Sequence, residues 1–166
     1  MVLTRTRAGA LPWLLLSALV VALDQWTKHL ALAVLDPYAP QAVIPGFLNW
    51  TLAFNPGAAF SFLADADGWQ RWFFTALAIG VSLVLAVWLS RTPRGDWRNA
   101  APLALVIGGA LGNLIDRLRL GHVVDFVQVY WRDWVFPAFN VADSAITVGA
   151  AMLILFSLRP AHPRTP

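Results

Sequence analysis

The chain has no cysteine, no glutamate and a single lysine among its 166 residues, and only 13% of its residues are charged. Without cysteine there is no disulfide framework, thiolate nucleophile or zinc–thiolate site. A serine–lysine dyad would have to use Lys28, yet Asp24 lies one helical turn earlier and holds that ammonium protonated. No HExxH, P-loop or GxGxxG occurs, and His29, His122 and His162 stand apart, so neither a zinc-ligand set nor a nucleotide cradle is offered. The formal charge of +3 is small and the basic residues are scattered, which argues against a nucleic-acid partner.

What the chain has in excess is apolar surface: 58% of its residues are hydrophobic and the mean hydropathy is +0.62. This is the composition of a membrane protein. Nine tryptophans and ten phenylalanines fit that reading, since such rings favour the headgroup boundary. A span needs about 20 mostly apolar residues, and four stretches come near that length, at 11–30, 72–89, 100–115 and 141–158. The first follows Arg5 and Arg7 but has no clean small-x-small cleavage site and precedes three further spans, so it reads as a retained helix rather than a signal peptide.

Basic residues flank cytoplasmic ends. Arg5 and Arg7, then Arg91, Arg94 and Arg98, then Arg159 and Arg164 place both termini and the turn between spans two and three inside. The segments around 36–71 and 116–140 then face out, and of the nine aspartates only Asp96 lies on the inner side. The expected fold is a membrane all-α protein with a small β element, one domain over residues 1–166. The first outer segment, about 36–68, has β-branched and aromatic residues broken by Pro-Gly and Asn-Pro-Gly, which predicts a small sheet on the outer membrane surface. In the second, about 119–140, Val124, Phe126, Val127, Tyr130 and Trp131 recur at near-helical spacing and predict a short interfacial helix.

Charged groups at membrane depth are costly and mark functional sites or structural pairs. Asp24 and Lys28, four apart, suit an ion pair that fixes a helix end. Asn55 and Gly57 lie in a turn-forming Asn-Pro-Gly. Gly108 and Gly112 form a small-xxx-small pair for close helix packing, and Asn113, Asp116 and Arg117 end the third span, as structural rim or as substrate contacts. Asp125 stands in an apolar segment, and Asp143 follows Asn140 at the start of the fourth span, where it suits a helix cap. Two carboxylates brought together in a low-dielectric site share one proton and supply a base and an acid at once.

Taken together, "DQWTK" at 24–28, "NPGAAF" at 55–60, "GGALGNLIDR" at 108–117, "VVDF" at 123–126 and "FNVADS" at 139–144 resemble the motifs of the lipoprotein signal peptidases (signal peptidase II), in the family's order. The resemblance implies a bacterial aspartic endopeptidase of the cytoplasmic (inner) membrane that cuts prolipoproteins before a diacylglyceryl-modified cysteine, with its site toward the extracytoplasmic face. It implies that Asp125 and Asp143 are the catalytic dyad, that Asp24, Lys28 and Asp116 support it, and that Asn55, Gly57, Asn113, Arg117 and Asn140 line the substrate site. The lipid-modified precursor and membrane lipids are the expected partners, and a monomer the expected state. The segment 127–137 is expected to be a mobile aromatic flap. The alternatives from other classes are a small proton-coupled transporter and a non-catalytic membrane scaffold.

Overall fold

A computed structural model describes residues 9–57 and 68–158 of the chain. Arg5, Arg7, Arg159 and Arg164, on which the orientation of the termini rests, lie outside the described residues, as do residues 58–67 of the first outer segment. After a 3-10 turn at Leu11–Trp13 the described residues form helices α1 (Leu14–Val34), α2 (Trp69–Arg91), α3 (Trp97–Arg119) and α4 (Val141–Ser157). Helices α2 and α3 run past the apolar stretches read from the sequence at both ends, because polar and aromatic flanks continue them, and α1 runs on through the apolar residues 31–34. Asp96 starts α3 by accepting from the Asn99 backbone N–H at 3.4 Å and from Asn99 Nδ2 at 2.7 Å.

Helices α1 and α2 turn most of their polar residues inward and their large apolar ones outward. Along α1 the buried residues are Ser17, Val20, Asp24, Lys28 and Ala31, spaced three and four apart, whereas Leu15, Leu19, Leu23, Trp26 and Leu30 are exposed. In α2 Gln70, Thr75, Ser82 and Leu89 are buried while Phe73, Leu77, Leu83, Val84 and Val87 face outward. Such an arrangement suits hydrocarbon, where burying leucine gains nothing and close packing of small and polar residues holds helices together. Helices α2 and α3 are each long and apolar enough to cross a bilayer, and α4 is a shorter apolar helix.

Helix α3 is central and packs on α1, α2 and α4. Glycine makes this contact close: a Cβ added at Gly108 would lie 2.8 Å from Val20 Cβ, and one at Gly112 would lie 2.6 Å from Asp24 Oδ2. The small-xxx-small pair therefore faces α1, and its second member leaves room for a buried carboxylate.

A four-stranded antiparallel sheet, β1 (Gln41–Ile44), β2 (Leu48–Asn55), β3 (Val123–Trp131) and β4 (Trp134–Val135) in that spatial order, caps one end of the helices. Here the sequence reading needs correction, because residues 123–135 form a hairpin and not an interfacial helix. The apolar positions that satisfied a helical spacing are also rich in β-branched and aromatic side chains, and pairing with β2 satisfies their backbone groups. Gly121, at φ +83°, turns the chain from α3 straight into β3. Leu52, Val124 and Phe126 pack with Ala31 at the end of α1, which seats the sheet on the bundle. After β4 the chain returns along β3: the Phe126 and Val127 N–H groups donate to the Phe139 carbonyl at 3.1 and 2.9 Å, and the Phe139 N–H donates to Val127 O at 2.9 Å. That return brings Asn140 and the start of α4 beside Asp125.

Candidate active site

Asp125, in the middle of β3 and paired in register with Ala53, is 2% exposed. Its Oδ1 accepts from Asn140 Nδ2 at 2.7 Å and its Oδ2 from Asn55 Nδ2 at 3.3 Å. Asp143, on the first turn of α4, accepts from Asn113 Nδ2 at 2.7 Å through Oδ1 and from the Asn140 N–H at 3.3 Å through Oδ2. Asn140 Oδ1 in turn accepts from the Asp143 N–H at 2.9 Å, which completes a reciprocal capping box. Asp143 is thus a helix-capping residue, as its position suggested, and is also tied through Asn140 to Asp125. One asparagine joins the two carboxylates, by its amide to the first and by its backbone to the second.

Beneath them lies a second cluster. Lys28 Nζ is 2.8 Å from both Asp24 Oδ2 and Asp116 Oδ2 and donates to Asn113 Oδ1 at 2.9 Å. The pair read from sequence as Asp24 with Lys28 is therefore a triad with Asp116, almost fully buried. Gln25, which sequence reasoning passed over, donates through Nε2 to Asp116 Oδ1 at 2.8 Å and to the Gly112 carbonyl at 3.2 Å. The only signal for it was its place between Asp24 and Lys28 on a membrane helix.

Arg117 closes the remaining side. Its Nη2 donates to the Gly57 carbonyl at 2.9 Å, its guanidinium carbon stands 5.2 Å from the centre of the Phe74 ring, and the Gly57 N–H donates to Asn55 Oδ1 at 3.0 Å. All ten site residues picked out in the sequence, nine polar side chains and Gly57, are consequently joined in one hydrogen-bonded cluster. Beside it is a cavity of about 630 Å³, with Asn55, Asn113, Arg117 and Asp143 on its polar side and Phe136, Phe139, Ile146 and Val148 on its apolar side. Asp125 is not among the lining residues. Phe136 and Pro137 of the apolar wall fall within the segment 127–137 expected as an aromatic flap, whereas Ala138 and Phe139 depend on the chain doubling back along β3 and were not legible.

Burial, reinforced by the charge of Asp143, pushes the Asp125 carboxyl up to about 7, against the hydrogen bonds from Asn55 and Asn140 and the charge of Lys28, which pull it down. The carboxyl therefore keeps a proton until the pH approaches neutrality. If the chemistry needs one proton on the pair, activity falls as pH rises through about 7, and the alkaline limb of a pH–rate profile measured on the purified enzyme in lipid checks this. Stability follows with a fixed sign: the folded value lies above the ordinary 3.8, so the contribution of this group is complete below about pH 4 and is lost as pH rises through 7. Burial also lowers His122, against the pull of Asp116, so this imidazole is neutral at pH 7 and brings no positive charge to the site.

A sequence model described as Signal peptidase (SPase) II matches residues 16–159. The lipoprotein signal peptidase of Xanthomonas campestris pv. campestris (strain 8004) is 62% identical over 154 residues, covering 93% of this chain and 92% of that protein. That of Ectopseudomonas mendocina (strain ymp) is 59% identical over 151 residues, covering 90% and 89%. Two solved structures of bacterial membrane enzymes, obtained by the in meso method, superpose with TM-scores of 0.78 and 0.77 at 32% and 30% identity. The first covers 89% of this chain and 87% of its own, the second 95% and 100%.

Proposed function

The chain belongs to the signal peptidase II family, a family of proteases, and from that premise we propose that it removes signal peptides from prolipoproteins by hydrolysing the bond before a diacylglyceryl-modified cysteine, with Asp125 and Asp143 as an aspartic dyad. The observation that supports the dyad is the convergence of both carboxylates on Asn140, with Asp143 lining a cavity. No metal or organic cofactor enters this scheme.

Asp143, which lines the cavity, is the base, and Asp125, deeper and raised to about 7, holds the proton. Asp143 takes a proton from water as the water oxygen bonds to the scissile carbonyl carbon. Asp125 gives its proton to the carbonyl oxygen. When the tetrahedral intermediate collapses, the oxygen returns that proton to Asp125, the C–N bond breaks, and Asp143 protonates the departing amine of the cysteine. The signal peptide leaves with a new carboxyl group and the pair again holds one proton. Asn113 and Arg117 on the cavity wall orient the peptide, with Arg117 held at the Gly57 carbonyl.

All four helices cross the cytoplasmic membrane of a bacterium, both termini are cytoplasmic, and the sheet with its site faces the opposite side. A substrate that is a membrane helix bearing a lipid enters sideways, between α4 and the 136–139 wall, and movement of that wall admits it. One chain supplies every group of the described site, which suits a monomer. The test is cleavage of two purified precursors that differ only in the lipid. The modified precursor is cut before its cysteine and the unmodified one at least about 100-fold more slowly, because binding energy from the remote lipid is spent on positioning the bond. Equal rates on the two, or cleavage elsewhere, contradict this reading.

A further inference from the structure

Lys28 is the only lysine in the chain and it is 2% exposed. Its ammonium has three protons, and three acceptors receive them: Asp24 Oδ2, Asp116 Oδ2 and Asn113 Oδ1. A plain ion pair would need one. What the three acceptors do next connects each of them to the dyad.

Asp24 Oδ1 accepts from the Ala142 N–H at 2.9 Å, and Ala142 immediately precedes Asp143. Asp116 Oδ2 accepts from the Val124 N–H at 3.1 Å, and Val124 immediately precedes Asp125. Asn113, its oxygen turned to Lys28, can offer only its amide nitrogen to Asp143, and does so at 2.7 Å. The same Asn113 oxygen accepts from Asn140 Nδ2 at 3.2 Å, the group that also donates to Asp125. Gln25 braces the two carboxylates by donating to Asp24 Oδ2 at 3.3 Å and Asp116 Oδ1 at 2.8 Å. Glycine at 112 leaves the room that Asp24 needs to reach Ala142.

We propose that Lys28 is a positioning residue for the dyad: by holding Asp24, Asp116 and Asn113 it fixes the backbone just before each catalytic aspartate and the amide that faces Asp143, and so sets the spacing of the two carboxyls. This rests on the dyad assignment above. β3 and the start of α4 are already joined by Asn140 and by the Phe139 backbone bonds; the ammonium on α1 adds a tie that reaches the residue before each aspartate, through Asp24 to Ala142 and through Asp116 to Val124. Its charge acts on the pair as well. The charged and titratable groups around the dyad are Asp24 and Lys28 on α1, Asp116 and Arg117 on α3, His122 in the turn before β3, Asp125 on β3 and Asp143 on α4, and Lys28 is the cation at the centre of the lower cluster.

The experiment is steady-state cleavage of a lipid-modified precursor by the full chain in bilayers, across pH, for Lys28→Met, Lys28→Arg and Asp24→Asn. For Lys28→Met, kcat falls about 100-fold or more while KM stays within about threefold, since the lost interaction orients the reacting groups and does not bind substrate. Its alkaline limb moves to higher pH, because the cation that favoured the ionised pair is gone. Lys28→Arg keeps the limb near the parent position, yet kcat still falls, because a planar fork cannot serve three acceptors arranged around an ammonium. Asp24→Asn keeps an acceptor for the Ala142 N–H and removes an anion, so its limb moves to lower pH, and this variant decides the matter should Lys28→Met not fold. A KM effect with unchanged kcat, or limbs that stay in place in Lys28→Met and Asp24→Asn, overturns the proposal. Failure of the dyad assignment shows separately, as activity retained in Asp125→Asn and Asp143→Asn.

Discussion

Asp125→Asn and Asp143→Asn each lower the cleavage rate of a lipid-modified precursor about 1,000-fold or more, and each variant stays folded. General acid–base participation by one positioned side chain is worth about 10²- to 10⁴-fold. In the proposed mechanism one group takes the proton of water and the other gives one to the carbonyl oxygen, so loss of either stops both transfers. Asparagine has the volume of aspartate and keeps an oxygen acceptor, which preserves the bond from Asn113 at position 143 and the bond from Asn140 at position 125. It cannot carry the proton. The effects do not add, because the two groups act as a unit, and the double variant is no slower than the worse single one. Circular dichroism and the unfolding midpoint establish that the fold is kept; a single variant with normal turnover removes that residue from the dyad.

Asn140→Ala is the next most severe change, and it acts through geometry. Asn140 is 1% exposed and makes bonds to Asp125, to the Val124 carbonyl, to Asn113 and, in the capping box, to the Asp143 backbone. Losing the cap costs about 0.5–2 kcal/mol. Leaving buried acceptors without their donor adds about 1–3 kcal/mol, so the unfolding free energy falls by roughly 2–4 kcal/mol and turnover by about 100-fold. Asn140→Asp separates the two roles. A carboxylate still caps α4, which keeps the capping share of the stability, but it removes the donor shared by Asp125, the Val124 carbonyl and Asn113 and sets a third carboxyl group beside the pair. Turnover therefore falls as far as in the alanine variant although the cap is kept. Comparable activity in Asn140→Asp and the parent would show that the asparagine serves the helix alone.

Much of this site was legible in the sequence because lipid makes polar residues conspicuous. Asp24, Lys28, Asn113, Asp116 and Arg117 interrupt helices whose other positions are apolar, and each was found to be buried. Position on a helix gave the Asp24–Lys28 contact directly, since four residues make one turn. Position could not give the third member, Asp116, which comes from another helix. Nor could it give Gln25, whose uncharged side chain raised no alarm. The strand β3 was misread as a helix because Val124, Phe126, Val127, Tyr130 and Trp131 fit both periods, and what decides between them is pairing with β2, a contact about 75 residues distant in the chain. That error hid the means by which Asp125 and Asp143 meet. A helix over 119–140 has no edge, whereas β3 offers its free N–H groups to the Phe139 carbonyl and so draws the start of α4 to its side.

In the proposed mechanism the two aspartates activate water without a covalent enzyme intermediate. The decisive measurement is a single-turnover reaction in ¹⁸O-labelled water, quenched in acid and analysed by mass spectrometry of both enzyme and products. The expected result is one ¹⁸O atom in the new carboxyl group of the released signal peptide, an unlabelled cysteine-terminated lipopeptide, and an enzyme of unchanged mass at every time point. An acyl-enzyme adduct that forms and decays at the rate of turnover would contradict it.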